Sequence, residues 1–145
     1  MPHINVTIGS DGAVIDAAVA VGPVWREELV LRRKAPPPPV TVRALIDTGA
    51  DITAIHPRML QQFGGRPIGS ARIRRPGLGS GYELAPLYEV ELSIGGANPG
   101  APWIAARVAG VPPSTRTVLA LIGRDILRQC TMFYNGPRGE LTLSY

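Results

Sequence analysis

Short runs of alternating apolar and polar residues dominate this chain, and glycine or proline interrupts nearly every run. The clearest run lies at residues 88–94, where tyrosine, valine, leucine and isoleucine alternate strictly with glutamate and serine. Such alternation places one set of side chains on each face of a β-strand. With 17 glycines and 15 prolines spread along the sequence, the pattern predicts an all-β fold, a mostly antiparallel barrel or a sandwich.

The other strand candidates are short and apolar, and they lie at residues 4–8, 13–21, 29–31, 40–46, 104–108 and 118–122. The last candidate is apolar throughout, which predicts burial on both of its faces. Residues 9–12 offer a hairpin turn between the first two candidates, and residues 135–139 offer the turn of a closing hairpin. Helix is expected only as a brief turn at residues 57–63 and as one short C-terminal helix at residues 124–129.

Length and composition predict one globular domain over residues 1–145, since 45% of the residues are hydrophobic and 18% are charged. Four prolines at residues 36–39 are expected to form a stiff loop insertion, although a proline-rich ligand for a partner has the same composition. No run approaches the roughly 20 apolar residues that span a bilayer, and no signal peptide is evident. We therefore expect a cytoplasmic protein without a membrane span, with Cys130 as a small buried residue.

The formal net charge is +4, from 15 Lys+Arg against 11 Asp+Glu, and all but one of the cations are arginines. Basic clusters occur at residues 32–34 and at residues 72–75. Clusters this short are typical of solvated loops and strand edges, and no aromatic platform is interleaved with them, so no nucleic-acid partner is expected. A basic nucleic-acid-binding β-domain is kept as a less favoured hypothesis, which predicts steeply salt-dependent binding.

Several common chemistries leave sequence marks that this chain lacks. His3, His56 and Cys130 do not have the spacing of a metal site. The glycine-rich residues 77–81 match neither a nucleophile elbow, nor a phosphate loop, nor a dinucleotide fingerprint, and are typical of a flexible turn. We therefore expect neither a metal nor a cofactor.

Two segments stand out against this background. An apolar strand ends in Asp47-Thr48-Gly49, and much later residues 121–125 read Leu-Ile-Gly-Arg-Asp. Turns favour aspartate and glycine, so the tripeptide alone is weak support, but the two segments in this order are difficult to obtain by chance. Together they resemble the retropepsins, the retroviral-type aspartic peptidases with cellular and bacterial relatives. The resemblance covers residues 40–127.

The resemblance implies a closed, barrel-like acid-protease fold and an aspartic endopeptidase with Asp47, Thr48 and Gly49 in its catalytic site. Peptide hydrolysis by carboxylates requires two of them, because one must be ionised to activate water while the other stays protonated. The chain holds one Asp-Thr-Gly, and a two-lobed enzyme would need a second copy and roughly twice the length. We therefore expect a homodimer with the active site on its twofold axis and a peptide or protein substrate.

Other site residues follow from the same resemblance. Ala50 and Asp51 are expected to contact substrate, and Asp51 is also expected to pair with Arg124. For Arg124 a structural salt bridge is favoured over a substrate contact. The residues expected to support the site structurally are Gly123, Arg124 and Asp125.

The segment at residues 71–87 occupies the place of the retropepsin flap, a β-hairpin that closes over substrate. Glycines near its tip suit a mobile turn that opens and closes. The residues expected to contact substrate there are Gly79, Ser80, Gly81 and Tyr82, while Tyr82 is equally typical of a surface aromatic. Apolar cleft residues favour hydrophobic side chains around the cut bond, and the excess of arginine is also compatible with acidic flanking residues.

The principal alternative is a catalytically silent module of the same fold that dimerises or binds peptides without turnover. The intact Asp47, Thr48 and Gly49 argue against it, since a silent copy has no reason to keep the carboxylate.

Overall fold

Six β-strands close into a ring around the main hydrophobic core of the chain. The computed structural model describes residues 1–75, 77, 79–96 and 98–145. In chain order its elements are β1 (His3–Thr7), β2 (Val14–Val21), α1 (Pro23–Leu31), β3 (Val40–Ile46), β4 (Ala54–Ile55), α2 (Pro57–Gln62), β5 (Gly69–Ile73), β6 (Glu83–Ser93), β7 (Ile104–Gly110), β8 (Ala120–Ile122), α3 (Arg124–Leu127), β9 (Thr131–Asn135) and β10 (Glu140–Ser144).

The ring runs in the order β2, β3, β8, β4, β7 and β6, and it closes because β6 pairs again with β2. The β3–β8 and β4–β7 pairs are parallel, and the other pairs of the ring are antiparallel. Strand β5 adds to β6 as a seventh strand. The predicted all-β, barrel-like fold is therefore confirmed.

Alternation along β6 shows how the sequence builds this barrel. Val90 and Leu92 are buried, whereas Glu89 and Glu91, which alternate with them, are only half-buried. Burying a side chain of this kind contributes about 1.5–3 kcal/mol relative to leaving it exposed. Side chains of β3 and β8 belong to the same core, and the two strands pair with each other. Because these two strands are parallel, the segments that follow them begin at the same end of the barrel.

Helix α1 corrects the strand predicted at residues 29–31. Pro23 stands in the first turn of the helix, where its fixed φ is favourable. Trp25 and Leu29 are four residues apart and share a helix face. Leu29 is buried, and the Trp25 indole N–H donates to the carbonyl of Phe63 at 3.0 Å. A three-residue apolar run is too short to reveal a helical period.

The predicted pairing of the first two strands is also wrong. The turn at residues 9–12 is present, with Gly9 and Gly12 bonded through their backbones. However, β1 pairs with β10 and β10 with β9, which makes a separate three-stranded sheet. Val6 lies opposite Leu141, and both side chains are buried. A turn sequence fixes where the chain reverses, whereas burial of apolar side chains selects the pairing partner.

Three further predictions concern short segments. Burial of residues 118–122 on both faces is wrong, because Ala120 and Ile122 are buried while Leu121 is half-buried at the opposite face. Helix α3 matches the predicted C-terminal helix, but it is one of three helices in the described residues. The prolines at residues 36–39 lie outside any helix or strand.

None of the helices in the described ranges combines the length and apolar character needed to span a bilayer.

Candidate active site

Asp47 lies directly after the end of β3, beside the end of its parallel neighbour β8. The Asp47 backbone N–H donates to the carbonyl of Ile122 at 3.0 Å, which continues the strand pairing by one residue. The chain then turns, and the Ala50 N–H donates to the Asp47 carbonyl at 3.2 Å. Within this turn the Gly49 N–H donates to Asp47 Oδ1 at 2.9 Å. A fixed backbone donor therefore orients the carboxylate.

Arg124 braces the same turn from the first residue of α3. Its backbone N–H donates to the Ala50 carbonyl at 2.9 Å, and its Nη1 donates to the Thr48 carbonyl at 3.0 Å. Its Nη2 forms an ion pair with Asp51. The two side chains of this pair are 57% and 85% exposed, so the pair alone contributes little stability. The three contacts together fix the turn against α3.

Asp125, the second residue of α3, is hydrogen-bonded to Thr53, whose side chain is fully buried. Both carboxylate oxygens of Asp125 accept the Thr53 backbone N–H at 3.0 Å, and the Thr53 hydroxyl donates to Oδ1 at 2.7 Å. The same hydroxyl accepts the Gly123 N–H at 3.0 Å. One buried hydroxyl thus connects the residue before β4 to the start of α3. A buried polar network that is fully paired holds its members in one arrangement.

Gly123 is required by close packing rather than by an unusual φ. Its φ is −89°, but an added Cβ would lie 2.7 Å from the carbonyl carbon of Ile52 and 3.0 Å from the Thr53 nitrogen. These neighbours are backbone atoms, which do not move aside as a flexible side chain does. Glycine at this position therefore lets the two segments of the site approach each other.

A cleft of about 700 Å³ opens beside Asp47. The β5–β6 hairpin provides one part of its lining through Arg72, Arg74, Arg75 and Tyr82. The segment after β7, residues 111–114, provides another part. The apolar side chains of the lining include Ile52, Ala54, Ile73 and Leu121. The cleft therefore combines one carboxylate, an apolar surface and a strongly basic wall.

The structure brings most of the predicted site residues to this cleft. Its lining contains Asp47, Gly49, Ala50, Asp51 and Tyr82. Thr48 is exposed beside them, and Gly123, Arg124 and Asp125 hold the turn through the contacts above. Strands β5 and β6 form the predicted hairpin, with Ile73 opposite Glu83. Of the predicted flap residues, Gly79, Ser80 and Gly81 are exposed and do not line the cleft.

The prediction for the tip of the hairpin at residues 76–81 partly lies outside the described residues, because Pro76 and Leu78 are not among them. The role of the hairpin as a flap stays a prediction.

Thr53 and the cleft-lining residues 112–114 were not among the site residues predicted from the sequence. Thr53 is a hydroxyl residue between Ile52 and Ala54, in an otherwise apolar segment. A lone polar residue at a core position signals a buried hydrogen bond, because an unpaired buried hydroxyl is costly. This signal was available in the sequence, whereas nothing local marked the prolines at 112 and 113.

Within the described ranges, no group of three or more histidine, cysteine, aspartate or glutamate side chains is arranged to hold a metal ion. Cys130 is half-buried, and burial raises the pKa of its thiol. Its Sγ lies 3.9 Å from the Ile126 carbonyl, and Cys130 is not part of the cleft lining.

Comparison with known proteins bears on the fold. No protein-family model matches the sequence, and no curated protein sequence matches it significantly. Among solved structures, the fold is similar to that of a retropepsin-like aspartic protease from Rickettsia conorii, with a TM-score of 0.61 and 16% sequence identity. The superposition covers 99% of this chain and 91% of that one. The chain therefore has the retropepsin-like fold that its Asp-Thr-Gly and Ile-Gly-Arg-Asp segments predict.

Proposed function

We propose that this chain is one subunit of a homodimeric aspartic endopeptidase in which two Asp47 carboxylates activate water. The observation that carries the proposal is the Asp47 carboxylate itself. It lines an open cleft, a Gly49 N–H orients it at 2.9 Å, and Arg124 braces the turn that presents it. The similar solved protein is described as an aspartic protease, which supports the same chemical class.

The reaction needs two carboxylates that share one proton. The ionised Asp47 takes a proton from water while the oxygen of that water attacks the peptide carbonyl carbon. The protonated Asp47 of the other subunit donates its proton to the carbonyl oxygen, which gives a tetrahedral diol. The carbon–nitrogen bond then breaks, the nitrogen takes a proton from the first carboxylate, and a hydroxyl proton returns to the second. Reagents and products balance without a covalent enzyme intermediate.

A second copy of the chain supplies the missing carboxylate. The sequence contains one Asp-Thr-Gly, and the other carboxylates near the cleft are already paired, Asp51 with Arg124 and Glu83 with Arg75. Thr48 and Gly49 are exposed at the open side of the turn. A twofold axis through this side would bring two Asp47 turns together.

Strand β9 supports such a dimer. It is an edge strand in the described part of the three-stranded sheet, and it exposes Met132, Phe133 and Tyr134 at 41%, 64% and 63%. An exposed apolar edge is a ready site for pairing with another strand. Only three residues separate it from α3, whose Arg124 touches the Asp47 turn. Antiparallel pairing of β9 with its own copy, centred on Phe133, would extend the sheet across the twofold axis.

Cleavage of a peptide library by the wild type and by Asp47→Asn tests the activity. Asparagine keeps the shape and an oxygen that accepts from Gly49, but it does not act as a base. We expect cleavage to fall by about 10³-fold. Asp11→Asn is the matched control, because Asp11 is exposed in the turn at residues 9–12 and lies outside the cleft lining.

Three outcomes decide the proposal. Equal cleavage by the wild type and Asp47→Asn would exclude Asp47 as the catalytic group. Activity that resides in a monomer, measured by sedimentation velocity under assay conditions, would exclude the shared site. A stable dimer that binds peptides without cleaving any of them would support the silent module instead.

A further inference from the structure

The wall of the cleft formed by the β5–β6 hairpin carries an unusual concentration of positive charge. Arg72, Arg74 and Arg75 all line the cleft that contains Asp47. The guanidinium groups of Arg72 and Arg74 both lie over the ring of Tyr82, another residue of the cleft lining. Two cationic side chains therefore lie together in the lining of the cleft.

Tyr82 holds these two side chains without neutralising them. The guanidinium carbon of Arg74 lies 4.9 Å from the centroid of the Tyr82 ring, and that of Arg72 lies 5.8 Å from it. Both distances are within the range of cation–π attraction, which orients a guanidinium but leaves its full charge. Stacking on a ring also leaves the N–H donors at the edge of each guanidinium free to bind a carboxylate.

Two carboxylates near these arginines, Glu83 and Asp51, already form ion pairs with other arginines. Arg75 Nη1 pairs with Glu83 at 3.2 Å, and its Nη2 donates to the Pro112 carbonyl at 3.3 Å. Asp51 pairs with Arg124. Among the described residues, no ion pair involves Arg72 or Arg74. The lining of the cleft thus carries two arginines that form no ion pair with a carboxylate of the described part of the chain.

We propose that Arg72 and Arg74 select substrates with an acidic side chain close to the cut bond. The proposal rests on the proposed peptidase function and names its substrate class: peptides in which an apolar residue is accompanied by glutamate or aspartate. The apolar residue lies against Ile52, Ala54 and Leu121, and the acidic side chain accepts hydrogen bonds from the arginine pair. A carboxylate and two guanidiniums form charge-assisted bonds that a neutral amide does not reproduce.

A peptide fits this cleft better than a nucleic acid does. The Asp47 carboxylate in the lining repels phosphate groups at the place where the chain of the ligand must pass. Tyr82 is the one aromatic residue among the described lining residues, and arginines already lie over its ring. Single-stranded nucleic acids depend on free aromatic faces and on a continuous basic groove.

The test measures binding separately from cleavage by using Asp47→Asn as the background. Labelled peptides with an apolar centre carry one glutamate at successive positions, and each has a twin with glutamine there. We expect at least one glutamate peptide to bind about tenfold more tightly than its glutamine twin. The preference should decrease as salt is raised.

Two double variants in that background identify the side chains responsible. Arg72→Gln with Arg74→Gln should abolish the preference for glutamate. Arg107→Gln with Arg128→Gln lowers the formal net charge by the same amount, from +4 to +2, at exposed arginines outside the cleft lining. This control should keep the preference. In the wild-type background, the cleft variant should raise KM for the glutamate peptide and leave kcat nearly unchanged.

Equal binding of glutamate and glutamine peptides, absence of binding by any peptide, or a preference that survives in the cleft variant would overturn the inference. So would a single-stranded oligonucleotide that binds more tightly than every peptide and loses binding in the cleft variant. Failure of the peptidase function has a different signature, because the wild type would then cleave nothing even if the glutamate preference is present.

Discussion

Replacing Thr53 by valine removes one hydroxyl from beneath the Asp47 turn and leaves the shape of the side chain nearly unchanged. The hydroxyl donates to Asp125 Oδ1 at 2.7 Å and accepts the Gly123 N–H at 3.0 Å. Thr53 is fully buried, so water does not reach the position from which the hydroxyl is lost. The variant therefore tests whether this network stabilises the fold.

The expected loss follows from these two bonds. A buried donor left without a partner costs about 1–3 kcal/mol, and a hydrogen bond to a charged group contributes about 1.5–3 kcal/mol. Asp125 is only half-buried and keeps the backbone N–H groups of Thr53 and Ile126, so the lower halves of these ranges apply. We expect the free energy of unfolding to fall by about 3 kcal/mol. For a domain of this size that lowers Tm by roughly 9 °C.

Urea unfolding measures this change, with tryptophan fluorescence and circular dichroism as independent probes. Trp25 is a suitable reporter because its indole N–H is bonded to the Phe63 carbonyl in the core. Protein concentration must be equal for all variants, since dimerisation makes apparent stability concentration-dependent. Thr53→Ser is the matched control: it keeps both hydrogen bonds and loses one buried methyl group, at a cost of about 1 kcal/mol.

The reasoning is refuted if Thr53→Val unfolds within about 0.5 kcal/mol of the wild type, the spread of ordinary surface substitutions. It is also refuted if serine destabilises as much as valine, because the methyl group rather than the hydroxyl would then account for the effect.

Three further predictions concern other parts of the chain. Gly123→Ala should destabilise more than Thr53→Val, because its Cβ would lie 2.7 Å from the Ile52 carbonyl carbon and backbone must move; wild-type stability in urea would contradict this. Phe133→Asp should convert the dimer to a folded monomer by sedimentation, because twofold pairing of β9 would face two like charges, and Phe133→Tyr should stay dimeric; a dimeric aspartate variant would exclude this interface. Because burial raises the pKa of the Cys130 thiol, less thiolate forms at a given pH, and iodoacetamide should react more slowly at pH 8 with the folded protein than with the urea-unfolded chain; equal rates would contradict the burial.

The parts of the fold that the sequence predicts well are those specified locally. Strict alternation at residues 88–94 predicts a half-buried strand, and β6 has that character up to Leu92, whereas Ser93 is buried although it lies on the polar side of the pattern. The ion pair of Asp51 with Arg124 was expected from the resemblance to the retropepsins, and the structure contains it. The parallel pairing of β3 with β8, which brings the two segments together, was not predicted.

Features that depend on distant partners were not predictable in the same way. The turn at residues 9–12 predicts a reversal correctly, but the pairing of β1 with β10 depends on burial of apolar residues more than a hundred positions away. Helix α1 is anchored by Trp25 and Leu29 against segments that no local pattern identifies. The basic cluster at residues 72–75 is indistinguishable from a solvated strand edge until β5 and β6 pair and turn it toward the cleft.

Two substitutions separate the contributions of charge and position at the candidate site. The contacts that hold Asp47 come from its own chain, through Gly49, Ile122 and Arg124. Asp47→Asn keeps an oxygen for the Gly49 N–H, so it should remove activity while stability and dimerisation stay near those of the wild type. Thr53→Val leaves the Asp47 carboxylate intact but removes the hydroxyl that bonds to Asp125 and to the Gly123 N–H. Its activity should therefore fall most at temperatures where the turn loses order, and recover on cooling, whereas the asparagine variant should stay inactive at every temperature.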